Sequence, residues 1–166
     1  MAISETQEPA KNFEIVVWEE RYATGIELID AQHHQLVNLV NQLYKACVAK
    51  DEVLQTVFKE VMSNLVKYVN FHFDAELKLL HAVNFPDYHN HKKMHDTLIK
   101  DILAAVKEYG EGSLFVPNRF VRTLKDWVFG HIAVNDKEYS LFVHEQIRRG
   151  VLTQKALKEI EMSIDK

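Results

Sequence analysis

In four stretches of this chain apolar residues recur at alternating three- and four-residue intervals, and in every stretch histidine interrupts the stripe. Such spacing predicts amphipathic helices whose apolar faces meet in one core. The first runs over 27–48, with Ile29, His33, Leu36, Val40, Leu43 and Cys47 on one face. The second is expected from Asp51, a good N-cap, to about His81; Leu54, Phe58, Val61, Leu65, Tyr68, His72, Glu76 and Leu79 share its register. Asn84-Phe85-Pro86-Asp87 is a turn signal. A third helix over 88–108 aligns Tyr88, His91, His95, Leu98, Ile102 and Ala105. Gly110 and Gly112 then break the chain, and Pro117 stands where a proline opens a helix. The fourth helix is expected to run to about Arg148, with Phe120, Leu124, Trp127 and His131 in register.

Four long helices joined by short loops imply an all-α fold, an up-down-up-down four-helix bundle. Val151 to Ile164 reads as a short additional C-terminal helix, whose Val151, Leu152, Leu157, Ile160 and Ile164 are expected to pack back on the bundle. The expected organisation is a flexible tail over 1–12, the bundle over 13–149 and a helical extension over 150–166. One domain is what 166 residues allow, and five glycines and three prolines leave helix as the default. A net charge of −4 without a run of Lys or Arg gives no support to nucleic acid or an anionic membrane as partner. No apolar run reaches the ~20 residues of a membrane span, and residues 1–12 lack the apolar core of a signal peptide. A single cysteine, Cys47, rules out an internal disulfide framework and fits a cytoplasmic setting.

The interruptions are the informative part. His33, His72, Glu76, His91, His95 and His131 occupy core positions, where an uncompensated polar or charged group costs several kcal/mol. One such histidine is ordinarily a hydrogen-bonded core residue. Five with an acid on facing helices point instead to a shared cation, which offsets all the penalties together. His72 and Glu76 are four residues apart, as are His91 and His95, so each pair projects from one helix face. After His131 the next inward candidate is Asp136, five residues on, which a regular helix turns away by about 140°. The stripe nevertheless resumes at Asp136, Tyr139 and Val143, which suggests a π-bulge or a bent turn between His131 and Asp136.

The segments Asp30-Ala31-Gln32-His33, His72-Phe73-Asp74-Ala75-Glu76, His91-Lys92-Lys93-Met94-His95 and His131-Ile132-Ala133-Val134-Asn135-Asp136 resemble the hemerythrin family, specifically its bacterial members, from about Phe13 to Phe142. The resemblance implies two non-haem irons joined by an oxo or hydroxo group. His91, His95 and His131 would hold one, His33 and His72 the other, with Glu76 and Asp136 bridging. It further implies reversible O₂ binding, with the open position on the iron beside His33 and His72. Trp127, four residues before His131, and Trp18, before the first helix, fit aromatic positions of the family. Phe73, Leu98, Trp127 and Val128 are expected to form an apolar surround.

Neutral imidazoles outnumber carboxylates in this set, unlike the carboxylate-rich Glu-x-x-His sites of di-iron oxidases and ferritins, and this favours the ferrous state. Structural zinc takes four ligands and gives no reason for seven. The absence of His-Glu-x-x-His argues against a metallopeptidase. The leading expectation is a non-enzymatic O₂ carrier that stores O₂ or delivers it to an oxygenase. The alternatives are an O₂ or redox sensor read by a signalling partner, and a di-iron enzyme reducing O₂, peroxide or nitric oxide. His34, His81, His89 and His144 read as solvated or capping residues, and Cys47 as a buried inert thiol.

Overall fold

The computed structural model describes residues 14–48, 51–112 and 116–164, without the side chains of 51–55 and 116. The expected tail over 1–12, the capping side chain of Asp51 and the stripe position of Leu54 therefore lie outside the described residues.

A 3₁₀ turn at Glu20–Tyr22 precedes α1 (Glu27–Val48), α2 (Asp51–Ala82), α3 (Tyr88–Gly110) and α4 (Val116–Gly130). A π-helical turn, His131–Asp136, joins α4 to α5 (Lys137–Arg148), and α6 (Gln154–Ile164) follows. Backbone angles remain helical at Gly130 and Lys137, so α4, the π turn and α5 form one continuous rod. The result is a four-helix bundle with a further C-terminal helix. No strand occurs among the described residues, and none of their helices is long and apolar enough to cross a membrane. Pro117 is the second residue of α4, still in the first turn, where its missing N–H has no helical partner to lose.

The expected turn after α2 takes a definite form. Phe85 N–H donates to the Leu80 carbonyl at 2.9 Å and Asn84 N–H to that of His81 at 3.1 Å. Asn84 sits at a φ of 54°, the left-handed conformation that asparagine tolerates at a helix C-terminus. Leu80 and Phe85 then share one apolar cluster.

Two clusters make up the interior. The larger gathers Leu36, Val40, Leu43, Phe58, Leu65, Leu98, Ile102, Leu124 and Val128 from the four bundle helices. Cys47 lies in it as expected, its thiol pushed up to about 11 by burial. The smaller gathers Ile26, Ile29, Leu79, Leu80, Phe85, Tyr139 and Val143, and α6 closes it with Leu157 and Ile164. Leu152 and Ile160 pack at its edge, whereas Val151 differs from expectation and is 70% exposed.

Candidate metal centre

Each helix of the bundle supplies side chains to one buried locus: His33 from α1, His72 and Glu76 from α2, His91 and His95 from α3, His131 and Asp136 from the π turn. None of the seven is more than 3% exposed. The π turn is what admits Asp136. Its i to i+5 pattern inserts one extra residue into the turn, so residue 136 returns beneath residue 131 instead of pointing off the bundle axis. The shifted register continues into α5, where Tyr139 and Val143 are fully buried.

The donor atoms fall into two sets around one shared carboxylate. Glu76, His91, His95 and His131 converge closely enough to hold one ion, and His33, His72 and Glu76 a second. Glu76 Oε2 lies 3.1 Å from His95 Nε2 and 3.4 Å from His91 Nε2. Its Oε1 lies 3.6 Å from His33 Nε2 and 3.7 Å from His72 Nε2. Asp136 spans the same gap: Oδ1 is 3.1 Å from His131 Nε2, and Oδ2 is 3.1 Å from His33 Nε2. Each carboxylate thus turns one oxygen toward two members of the three-imidazole set, Glu76 toward His91 and His95 and Asp136 toward His91 and His131, and the other oxygen toward the second set.

These contacts are not a satisfied hydrogen-bond network. Both Asp136 oxygens and His33 Nε2 are buried without a hydrogen-bond partner, and His95 Nε2 and His131 Nε2 face each other at 2.9 Å. Buried polar atoms aimed at common points and left without hydrogen-bond partners are expensive unless a cation fills the points. The residues therefore fit a metal, and their nitrogen and carboxylate-oxygen donors suit a first-row transition ion.

Residues 24–140 match the family model described as the hemerythrin HHE cation binding domain. The chain belongs to the hemerythrin family. A bacteriohemerythrin of Stenotrophomonas maltophilia is 27% identical over 76% of this chain and 80% of its own. One from Pseudomonas aeruginosa is 30% identical over 75% and 78%, and one from Clostridium acetobutylicum 27% identical over 74% and 97%. Crystal structures of hemerythrin point variants share the fold, with a TM-score of 0.70 at 24% identity over 76% of this chain and 95% of theirs.

Electrostatics at this hemerythrin centre leave the carboxylates ionised. Burial opposes the charge on Glu76, yet the imidazoles of His72, His33, His91 and His95 hold it well below the usual carboxylate range. Asp136 is lowered too: burial and Glu76 oppose ionisation, but His131 and His33 prevail. Burial drives His72 down to about 4, so its ring is neutral, the state a metal requires. His33 differs. Burial disfavours its charge, but Asp136 and Glu76 outweigh burial and raise it to about 9.

The spacing of inward residues missed the groups that orient this set. Gln32, beside a core position rather than on it, accepts from His72 Nδ1 at 3.0 Å, so the His72 Nε2 lone pair faces inward. The Tyr139 hydroxyl donates to Glu76 Oε1 at 2.6 Å. Its register was visible in the sequence, but its partner, on another helix, was not. The expected apolar surround is present in a more specific form: Phe73 stacks on His95 at 3.6 Å between centroids, and Trp127 on His131 at 4.3 Å. Leu98 and Val128 are buried in the adjoining core. Trp18 lies 6.2 Å from the His33 ring and 4.2 Å from that of His34.

Of the histidines outside the set, His34, His81 and His89 are exposed, in keeping with expectation. His144 is neither solvated nor a cap. It is half-buried, and its Nε2–H donates to the Thr24 carbonyl at 2.7 Å, tying α5 to the loop that leads into α1. Sequence separation hid this contact.

Proposed function

We propose that the protein binds O₂ reversibly at two non-haem irons, held by His91, His95 and His131 on one side and His33 and His72 on the other. Glu76 and Asp136, with an oxo or hydroxo group, would bridge the two. The observation that carries this reading is the division of five imidazoles into three and two about Glu76. If the bridges are shared, a metal held by three imidazoles would have its positions filled, and one held by His33 and His72 would keep room for a ligand. Iron held by these residues would supply the electrons that O₂ takes on binding and returns on leaving.

The chain's own residues account for reversibility. Imidazole-rich ligation favours the ferrous state, and the stacked Phe73 and Trp127 exclude water from two of the ligating rings. Gln32 keeps the inward nitrogen of His72 free of its proton. Tyr139 directs its single proton to Glu76 Oε1, where it is engaged rather than available to a bound ligand. On this reading the protein is a carrier rather than an enzyme. It acts in the cytoplasm, supplying an oxygenase or informing a signalling protein, with the bundle over 13–149 and the extension over 150–166 as its working parts.

The test is optical. Loaded with Fe(II) without O₂, the protein should be nearly colourless, turn pink to purple in air and bleach when O₂ is withdrawn. Colour that fails to bleach while added reductant is consumed would replace the carrier with an oxidase. A protein that retains zinc and never colours would end the di-iron reading.

A further inference from the structure

The family match ends at residue 140, short of α6. This added helix carries a buried acid that the proposed O₂ chemistry does not use. Glu161 is 6% exposed and accepts a hydrogen bond from the Leu28 backbone N–H at 2.9 Å. Leu28 is the second residue of α1, so its N–H is one of the donors a helix N-terminus leaves without an internal partner. Glu161 thus caps α1 from another helix, with its charge at the positive end of the α1 dipole. Lys158, one turn earlier on α6, hydrogen-bonds Glu27, the first residue of α1, at 2.5 Å.

The capped turn leads directly to the metal centre. Gln32, four residues after Leu28 and so on the same helix face, holds His72, and His33 follows at once. The apolar cluster beneath α6 reaches the centre by a second route, because Leu157 and Ile164 share it with Ile29 and with Tyr139, the hydrogen-bond donor to Glu76. The beginning of α1 is also tied to α5: Asp30 accepts from Thr24 and Gly25 N–H at 2.7 and 2.9 Å, and His144 holds the Thr24 carbonyl. α6 restrains the same end of the helix through Glu161 and Lys158.

We propose that Glu161 is a positioning residue of the metal centre, acting through the first turn of α1, so that docking of α6 and occupancy of the centre reinforce one another. The inference rests on the metal-holding part of the reading above and not on O₂. Linkage makes the coupling reciprocal: docked α6 strengthens metal binding, and bound metal protects α6.

The experiment uses the full chain, metal-free and anaerobic, titrated with Fe(II) against a competing chelator. Glu161→Leu keeps a buried side chain without an acceptor and should bind iron about 5- to 10-fold more weakly at unchanged stoichiometry. Glu161→Gln keeps an oxygen for Leu28 N–H and should stay within about twofold of the parent on the same scale. In the unsubstituted protein, Fe(II) should slow amide exchange across Gln154–Ile164, a readout that needs no variant. Parental iron affinity in Glu161→Leu, or α6 exchange indifferent to iron, overturns the proposal. An unsubstituted protein that takes up no iron overturns both this and the proposed function. One that shows the coupling but does not bleach reversibly upholds this inference and removes only O₂ carriage.

Discussion

The Tyr139 hydroxyl donates to Glu76 Oε1 at 2.6 Å, and both side chains are fully buried. Burial, then Glu76 and Asp136, raise the phenol well above its usual range, so it is a fixed donor and not a second acid. The carboxylate it orients is the one shared by both sets of imidazoles. Tyr139→Phe leaves a buried charged oxygen short of one partner and should cost the metal-free protein about 1.5–3 kcal/mol. The denaturant midpoint measures it, and an unchanged midpoint would show that the bond contributes nothing.

Gln32 acts on the other set. Without its Oε1, the His72 ring loses the acceptor that fixes which nitrogen faces inward. Gln32→Ala should weaken metal binding by roughly 10- to 100-fold, the usual effect of removing a ligand's outer partner. Chelator competition reads the change directly.

His33 sets a pH dependence whose sign follows from its raised pKa. In the metal-free protein, stabilisation from protonated His33 is fully present below its ordinary value of 6.5 and is lost as pH rises through about 9. A metal ion must displace that proton, so loading below about 9 should release it, and loading above should not. His91 is shifted in the same direction: burial opposes its charge, and Glu76 and Asp136 favour it. Calorimetric titration in buffers of different ionisation enthalpy counts the protons. A buffer-independent heat at neutral pH would contradict the assignment.

Gly25 tests the junction between α5 and α1. Its φ is +74°, and a Cβ there would stand 2.9 Å from His144 Nε2. Gly25→Ala therefore meets both a strained backbone and the histidine that holds the Thr24 carbonyl. The expected loss is about 1–3 kcal/mol in thermal or chemical denaturation. A stability equal to the parent would mean that the loop relocates without cost.

Much of this was legible because helices repeat every 3.6 residues. The positions of His33, His72, Glu76, His91, His95 and His131 on inward faces follow from that period alone. Asp136 was harder, since it breaks the period; only resumption of the stripe at Tyr139 and Val143 hinted at the wider turn now seen at His131–Asp136. Gln32 and His144 gave no periodic signal. Gln32 sits beside an inward position and finds its partner on α2, and His144 bonds to a carbonyl in a loop 120 residues earlier in the chain.

The sequence by itself determined the helices, their inward faces and the conflict between those faces and the histidines they carry, because local periodicity and the cost of burying polar groups act along a single segment. Tertiary structure alone decided how that conflict is resolved. It brought the imidazoles together about one shared carboxylate, aimed the Tyr139 hydroxyl at Glu76, and seated Glu161 on the start of α1. Each outcome depends on helices meeting at a particular depth and rotation. Leu28 and Glu161, 133 residues apart in the chain, become partners only when α6 closes the apolar cluster between them.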